Sequence, residues 1–111
     1  MSPERFSFST GDASIRERVV DQPDRWNLLI AHVVLAVGES VPKHPTDSEA
    51  FVTVVRGTLT LELEGLAETR HPRGTMLHLA KGSPMAPRND GTEVVEFFVI
   101  KTPHPTVASH S

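Results

Sequence analysis

The chain reads as an all-β protein, an antiparallel sandwich or barrel folded as a single domain, and three observations predict it. Runs of Val, Ile, Thr and Phe at strand length recur at short intervals, clusters of Gly, Pro and Asp separate them, and helix signals are nearly absent. A length of 111 residues is enough for one hydrophobic core and too little for two.

Taken in order, residues 1–25 supply an N-terminal arm and a first strand at 16–20, and residues 26–101 hold the barrel. The second strand, 27–37, is apolar at nearly every position and interrupted only by His32, so both of its faces need cover; a contact with a second copy of the chain, a homodimer, is the expected source. Further strands are expected at 51–55, 58–64, 66–71, 75–79 and 92–101. In 58–64 the alternation of Leu59, Leu61 and Leu63 with Thr60, Glu62 and Glu64 predicts one buried and one wet face. Gly57 marks a hairpin or bulge where positive φ costs glycine little, and Gly65 and Asn89-Asp90-Gly91 are further hairpin signals, together giving an antiparallel meander. Residues 102–111, with two prolines and no periodicity, are expected to be a flexible tail.

Composition removes several classes of function. The formal charge is -3 and the basic residues are scattered, which leaves no footprint for nucleic acid. The longest apolar run, 28–37, falls well short of the ~20 residues of a membrane helix, so no membrane partner is expected. The opening Met-Ser-Pro-Glu-Arg-Phe-Ser has no apolar segment of a secretion signal, and there is no cysteine for disulfide or thiol chemistry; a cytoplasmic protein is expected. No Gly-rich phosphate loop, nucleophile-elbow triad or metalloprotease helix signature occurs.

Two blocks carry the functional information. The stretch from Gly38 to Gly57 keeps the frame Gly-x5-His-x-His-x3-Glu-x6-Gly, with Gly38, His44 and Gly57 in place, but Thr46 stands at the second His position and Ala50 at the Glu position. From Gly74 to Asn89 the frame is G-x5-P-x-G-x2-H-x3-N, with Gly74, Gly82 and Asn89 in place and Met85 at the His position. These blocks, over residues 27–101, resemble the cupin superfamily. The resemblance implies a small antiparallel jelly-roll barrel whose mouth is a ligand cavity. It leaves the chemistry open, since cupins include metal-dependent dioxygenases, sugar isomerases, metal-free epimerases, storage proteins and sensory domains.

Three of the four ligand positions implied by the resemblance hold residues unsuited to a hard divalent metal: Thr46 is a poor ligand, Ala50 has no donor atom, and the Met85 thioether suits only soft ions. The expectation is a barrel that binds a small organic molecule with no metal cofactor, in a pocket lined by His44, Thr46, Ala50, His78 and Met85. His44 is the best catalytic candidate, because an imidazole at a barrel mouth can pass protons near neutral pH. The enzyme alternative is an oxygenase or isomerase with one divalent transition metal on relocated ligands: His44 with Glu49, Asp47, His78 or His32. A third class is a structural barrel with a filled interior. Arg56 and Arg88 are candidate anchors for an anionic group, although strand-end arginines are usually solvated, and Trp26 reads as a core or interface plug.

Overall fold

In the computed structural model, which describes residues 2–62 and 67–108, nine strands form two facing antiparallel sheets. The strands are β1 (Ile15–Gln22), β2 (Leu28–Leu35), β3 (His44–Pro45), β4 (Ala50–Arg56), β5 (Thr58–Glu62), β6 (Thr69–Pro72), β7 (Met76–Leu79), β8 (Pro84–Arg88) and β9 (Val95–Lys101). One sheet has the order β1-β2-β9-β4-β7 and the other β3-β8-β5-β6. This is the jelly roll that the resemblance implies, and not the meander read from the turns, since chain neighbours are mostly not sheet neighbours.

Gly57 shows why. It carries φ of 73°, and a Cβ there would lie 2.3 Å from the Val94 carbonyl oxygen, so only glycine fits. The chain at this point does not turn back as a hairpin; β4 ends in a bulge against β9 and β5 continues into the opposite sheet. Asn89-Asp90-Gly91 likewise joins strands of different sheets. The Asn89 side chain is buried, its amide donates to the carbonyls of Leu35 and Glu93 at 2.9 Å each, and its Oδ1 accepts from Gly91 N–H, so the motif asparagine ties three backbone segments together. β5 does pair with β6, while the expected turn at Gly65 and the outer part of the 58–64 alternation lie outside the described residues.

The core lies between the sheets and is made by Val33, Leu35, Val52, Val54, Leu59, Leu61, Met85, Val95, Phe97 and Val99, with Phe97 the bulkiest fully buried side chain. Period-2 alternation places these side chains inward on every strand. β5 departs from it: Thr60 is as buried as Leu59 and Leu61. Its ladder partners are Arg70 on one side and Arg88 on the other, and directly opposed residues share a face, so two long side chains flank it.

The two-sided apolarity of β2 also finds its explanation within the chain. The N-terminal arm lies over the outer face of β2 and β9, where the Phe8 ring packs 4.9 Å from His32 and 5.0 Å from Phe98, and arm residues border the buried Val34. At the other end, the expected flexible tail is fastened for part of its length. His104 is buried, donates its backbone N–H to Asn27 Oδ1 and sets Nε2 2.6 Å from Asp21 Oδ1; the Pro103 carbonyl accepts from the Ser48 hydroxyl, and Pro105–Ala108 forms one helical turn. Trp26 is partly exposed, packed edge-on against Phe6 with the Arg25 guanidinium over its ring.

Candidate functional site

Between the edge strand β1 and the short strand β3 the two sheets part, leaving a cavity of about 160 Å³. Its walls are apolar: Ala31 and Val33 from β2, Val41, Met85 and Pro87 from the facing sheet side, and Phe97 and Val99 from β9. Among the described residues its polar wall groups are Arg16, His44 and Lys101. Arg16, Ala31 and Lys101 also border a wider opening of about 480 Å³, together with Glu17, Arg18, Leu29 and Asp47. The site is therefore a small greasy chamber behind a charged vestibule, and sheet register produces it. Arg16 opposes Val33, and Lys101 opposes both Leu29 and Ala50, which puts both long side chains on the core-facing surface of their sheet.

His44 and Met85 face each other across the β3–β8 ladder and both line the chamber. His44 is exposed and its Nδ1 lies 2.9 Å from the Pro42 carbonyl oxygen, which can only accept, so Nδ1 carries the proton. Nε2 then has no partner among the described residues and is available to a ligand. The other expected pocket residues are elsewhere. The Thr46 hydroxyl is buried and donates to the Ser83 carbonyl at 2.6 Å, which fixes the loop after β3. Ala50 is fully buried in the core beneath the chamber. His78 faces the opposite way: opposite Phe51 in the ladder, on the outer surface, it contacts the Phe51 ring and pairs with Glu49 at 2.9 Å.

The relocated metal set does not assemble. Glu49 is spent on His78 and on the Lys81 backbone N–H at 2.6 Å, with the N–H contact first and His78 second in holding its carboxyl below the usual range. Asp47 pairs with Lys101 at 2.5 Å. His32 is fully buried on the outer face, with Nδ1 2.7 Å from Glu17 Oε2 and Nε2 2.6 Å from Glu96 Oε2. Ionised carboxylates only accept, so this arrangement is satisfied by a proton on each ring nitrogen. Glu17 is held below the usual carboxylate range chiefly by that bond to His32, then by the Ser9 backbone N–H. Among the described residues no three His, Cys, Asp or Glu side chains group as a metal site. The metal that the resemblance implies does not fit these residues: His44 contributes one free nitrogen, Met85 a thioether, Thr46 a committed hydroxyl and Ala50 nothing.

The arginines singled out as anion anchors are engaged as well. Arg56 bonds Glu96, Asp12 and the Gly11 carbonyl, and Arg88 bonds Asp90, Glu62 and Glu68. The cations that do line the chamber, Arg16 and Lys101, escaped the sequence reading because neither lies in a motif block. In β9 the available signal was alternation, since Lys101 continues the inward face of Val95, Phe97 and Val99; Arg16 gave none, because Arg18 stands on the same face of β1.

Two facing antiparallel sheets with a mouth between β1 and β3, and a metal motif kept in frame but stripped of ligands, define a jelly-roll barrel. The chain matches the Cupin domain model over residues 31–101, and it belongs to the cupin superfamily. It is 34% identical over 76 residues to an uncharacterized protein of Methanocaldococcus jannaschii, a match covering 68% of this chain and 66% of that one. A crystal structure from the same archaeon, described as an RmlC-like cupin with a double-stranded β-helix fold, is 27% identical with a TM-score of 0.90, covering 98% of each chain. The cupin domain of an XRE family transcriptional regulator from Enterobacter cloacae is 18% identical with a TM-score of 0.68, covering 79% of this chain and 94% of that one. The polyketide cyclase RemF from Streptomyces resistomycificus is 17% identical with a TM-score of 0.70, covering 81% and 65%. Likeness at the last two levels speaks to the fold alone.

Proposed function

We propose that this cupin-fold protein binds a small organic molecule in the barrel mouth without a tightly held metal. The observation that carries the reading is the chamber itself: it opens to solvent, is walled by Val33, Met85, Phe97 and Val99, and has a free imidazole nitrogen at its edge where a metal would need several convergent donors. Every buried polar side-chain atom among the described residues already has a partner, so recognition falls to the rim groups rather than to a waiting polar group inside. The chamber volume, below the ~300 Å³ at which drug-sized sites begin, calls for a compact ligand. His44 is positioned to touch it and to exchange a proton through Nε2, which makes it the candidate catalytic residue if a reaction follows binding.

Elemental analysis of purified protein, before and after loading with iron, manganese and zinc, tests this reading. The expected outcome is less than a tenth of a metal per chain after dialysis. One metal per chain, lost on His44→Ala, would replace it with the relocated-ligand enzyme.

A homodimer is the partner reading, and its support lies away from β2. Phe51, Val55 and Met76, on the outer surface of β4 and β7, are exposed large apolar side chains on the half of the sheet that the arm leaves open. Lack of cysteine suits a reducing compartment, and the cytoplasm is the proposed location. No helix among the described residues is long and apolar enough to cross a membrane.

A further inference from the structure

Resting on that metal-free reading, we infer that the ligand is a small organic carboxylate, its apolar body in the chamber and its anionic head held at the vestibule by Arg16 and Lys101. Charge balance carries the argument. Around the vestibule Arg18 is paired with Asp21 at 3.1 Å, Lys101 with Asp47, and Glu17 with the buried His32. Arg16 makes no ion pair or hydrogen bond among the described residues, and with Lys101 it lines both the chamber and the vestibule. Among the described residues the chamber wall contains no acidic side chain, and the two acids of the vestibule, Glu17 and Asp47, are already paired with His32 and Lys101, so a cationic ligand would find no free carboxylate there.

One uncompensated guanidinium matches one negative charge, and its planar fork matches the two oxygens of a carboxylate. A doubly charged phosphate would need a second free cation, which Lys101 can supply only by leaving Asp47. The partial burial of Lys101, whose side chain is 17% exposed, places its ammonium where a bound anion gains more than in open water. His44 Nε2, on the same wall, is suited to a second polar atom of the ligand.

Titration of the full chain, followed by backbone amide shifts in NMR at low salt, tests this with isovalerate, pivalate and benzoate against their primary amides. The carboxylates are expected to move the amides of Ala31, Val33, Met85, Phe97 and Val99 and to bind about tenfold more tightly than the matching amides. Arg16→Gln, at an exposed position, should erase that tenfold preference, while Arg25→Gln, which lines neither cavity, should leave it intact. Equal affinity of acids and amides in the unaltered protein overturns the carboxylate assignment while leaving the organic pocket standing, and so does an undiminished preference in Arg16→Gln. If neither acids nor amides move these residues, the pocket reading and the assignment fall together.

Discussion

Single residues here divide into those that shape the chain and those that face the chamber. Gly57 belongs to the first kind: a side chain would meet both the Val94 carbonyl and a positive φ. Gly57→Ala is expected to cost more than the about 1–3 kcal/mol of a non-glycine residue in that conformation, because the clash adds to it; a shift in the urea midpoint measures it. A cost of only about 1 kcal/mol would mean that the Val94 backbone yields easily and the conformation alone is felt. Gly57 and Asn89 were legible as motif residues because backbone demands leave a residue-type signature. His44 and Met85 were read as pocket positions from the motif frame, and the structure sets them opposite each other across the β3–β8 ladder. Thr46 and His78 were not, since a motif frame gives spacing but not direction: the Thr46 hydroxyl turns to a backbone carbonyl, and His78 sits one pleat out of phase with the buried Leu79.

Among the elements, β1 and the arm before it depend most on ionised groups. Ser9 donates to Glu17 through its N–H at 2.8 Å and its hydroxyl at 3.0 Å, Glu17 meets His32, and His32 meets Glu96, which Arg56 joins to Asp12 on the arm. The folded carboxyl of Glu17 titrates below its ordinary 4.5 because the native state favours its charged form. A depressed acid contributes stability that is complete above its unfolded value and disappears as pH falls through the folded one. Glu17→Gln should therefore lower the urea midpoint at neutral pH and make the loss of stability below pH 4.5 shallower. Asp21, lowered chiefly by His104 and then by Arg18, and Glu49 follow the same sign, so part of the acid sensitivity will persist in the variant. An unchanged pH profile would show that the His32 contact is no stronger folded than unfolded. Strand existence was readable for most of the barrel from β-branched runs and glycine punctuation. β8 was not, because Pro84 and Pro87 argue against a strand; it tolerates them between the short β3 and the end of β5. Which strands pair was also hidden, since local turn signals do not distinguish a hairpin from a crossing between sheets.

At the scale of the whole molecule, the apolar surface over β4 and β7 stays exposed among the described residues. Sedimentation equilibrium is expected to give a dimer at micromolar concentration, and Val55→Glu with Met76→Glu should return it to the monomer by placing charges on that face. A monomer in the unaltered protein would end the homodimer reading. The sheet's opposite edge has a different consequence. Arg16 and Glu17 are consecutive on β1, so one points into the chamber and the other through the sheet to the arm. A single rim strand thus works as the jamb of the doorway and as the clasp of the strap behind it. Strap and doorway are therefore expected to be coupled: what loosens the strap should weaken the hold on an occupant, and by reciprocity an occupant should tighten the strap by the same factor.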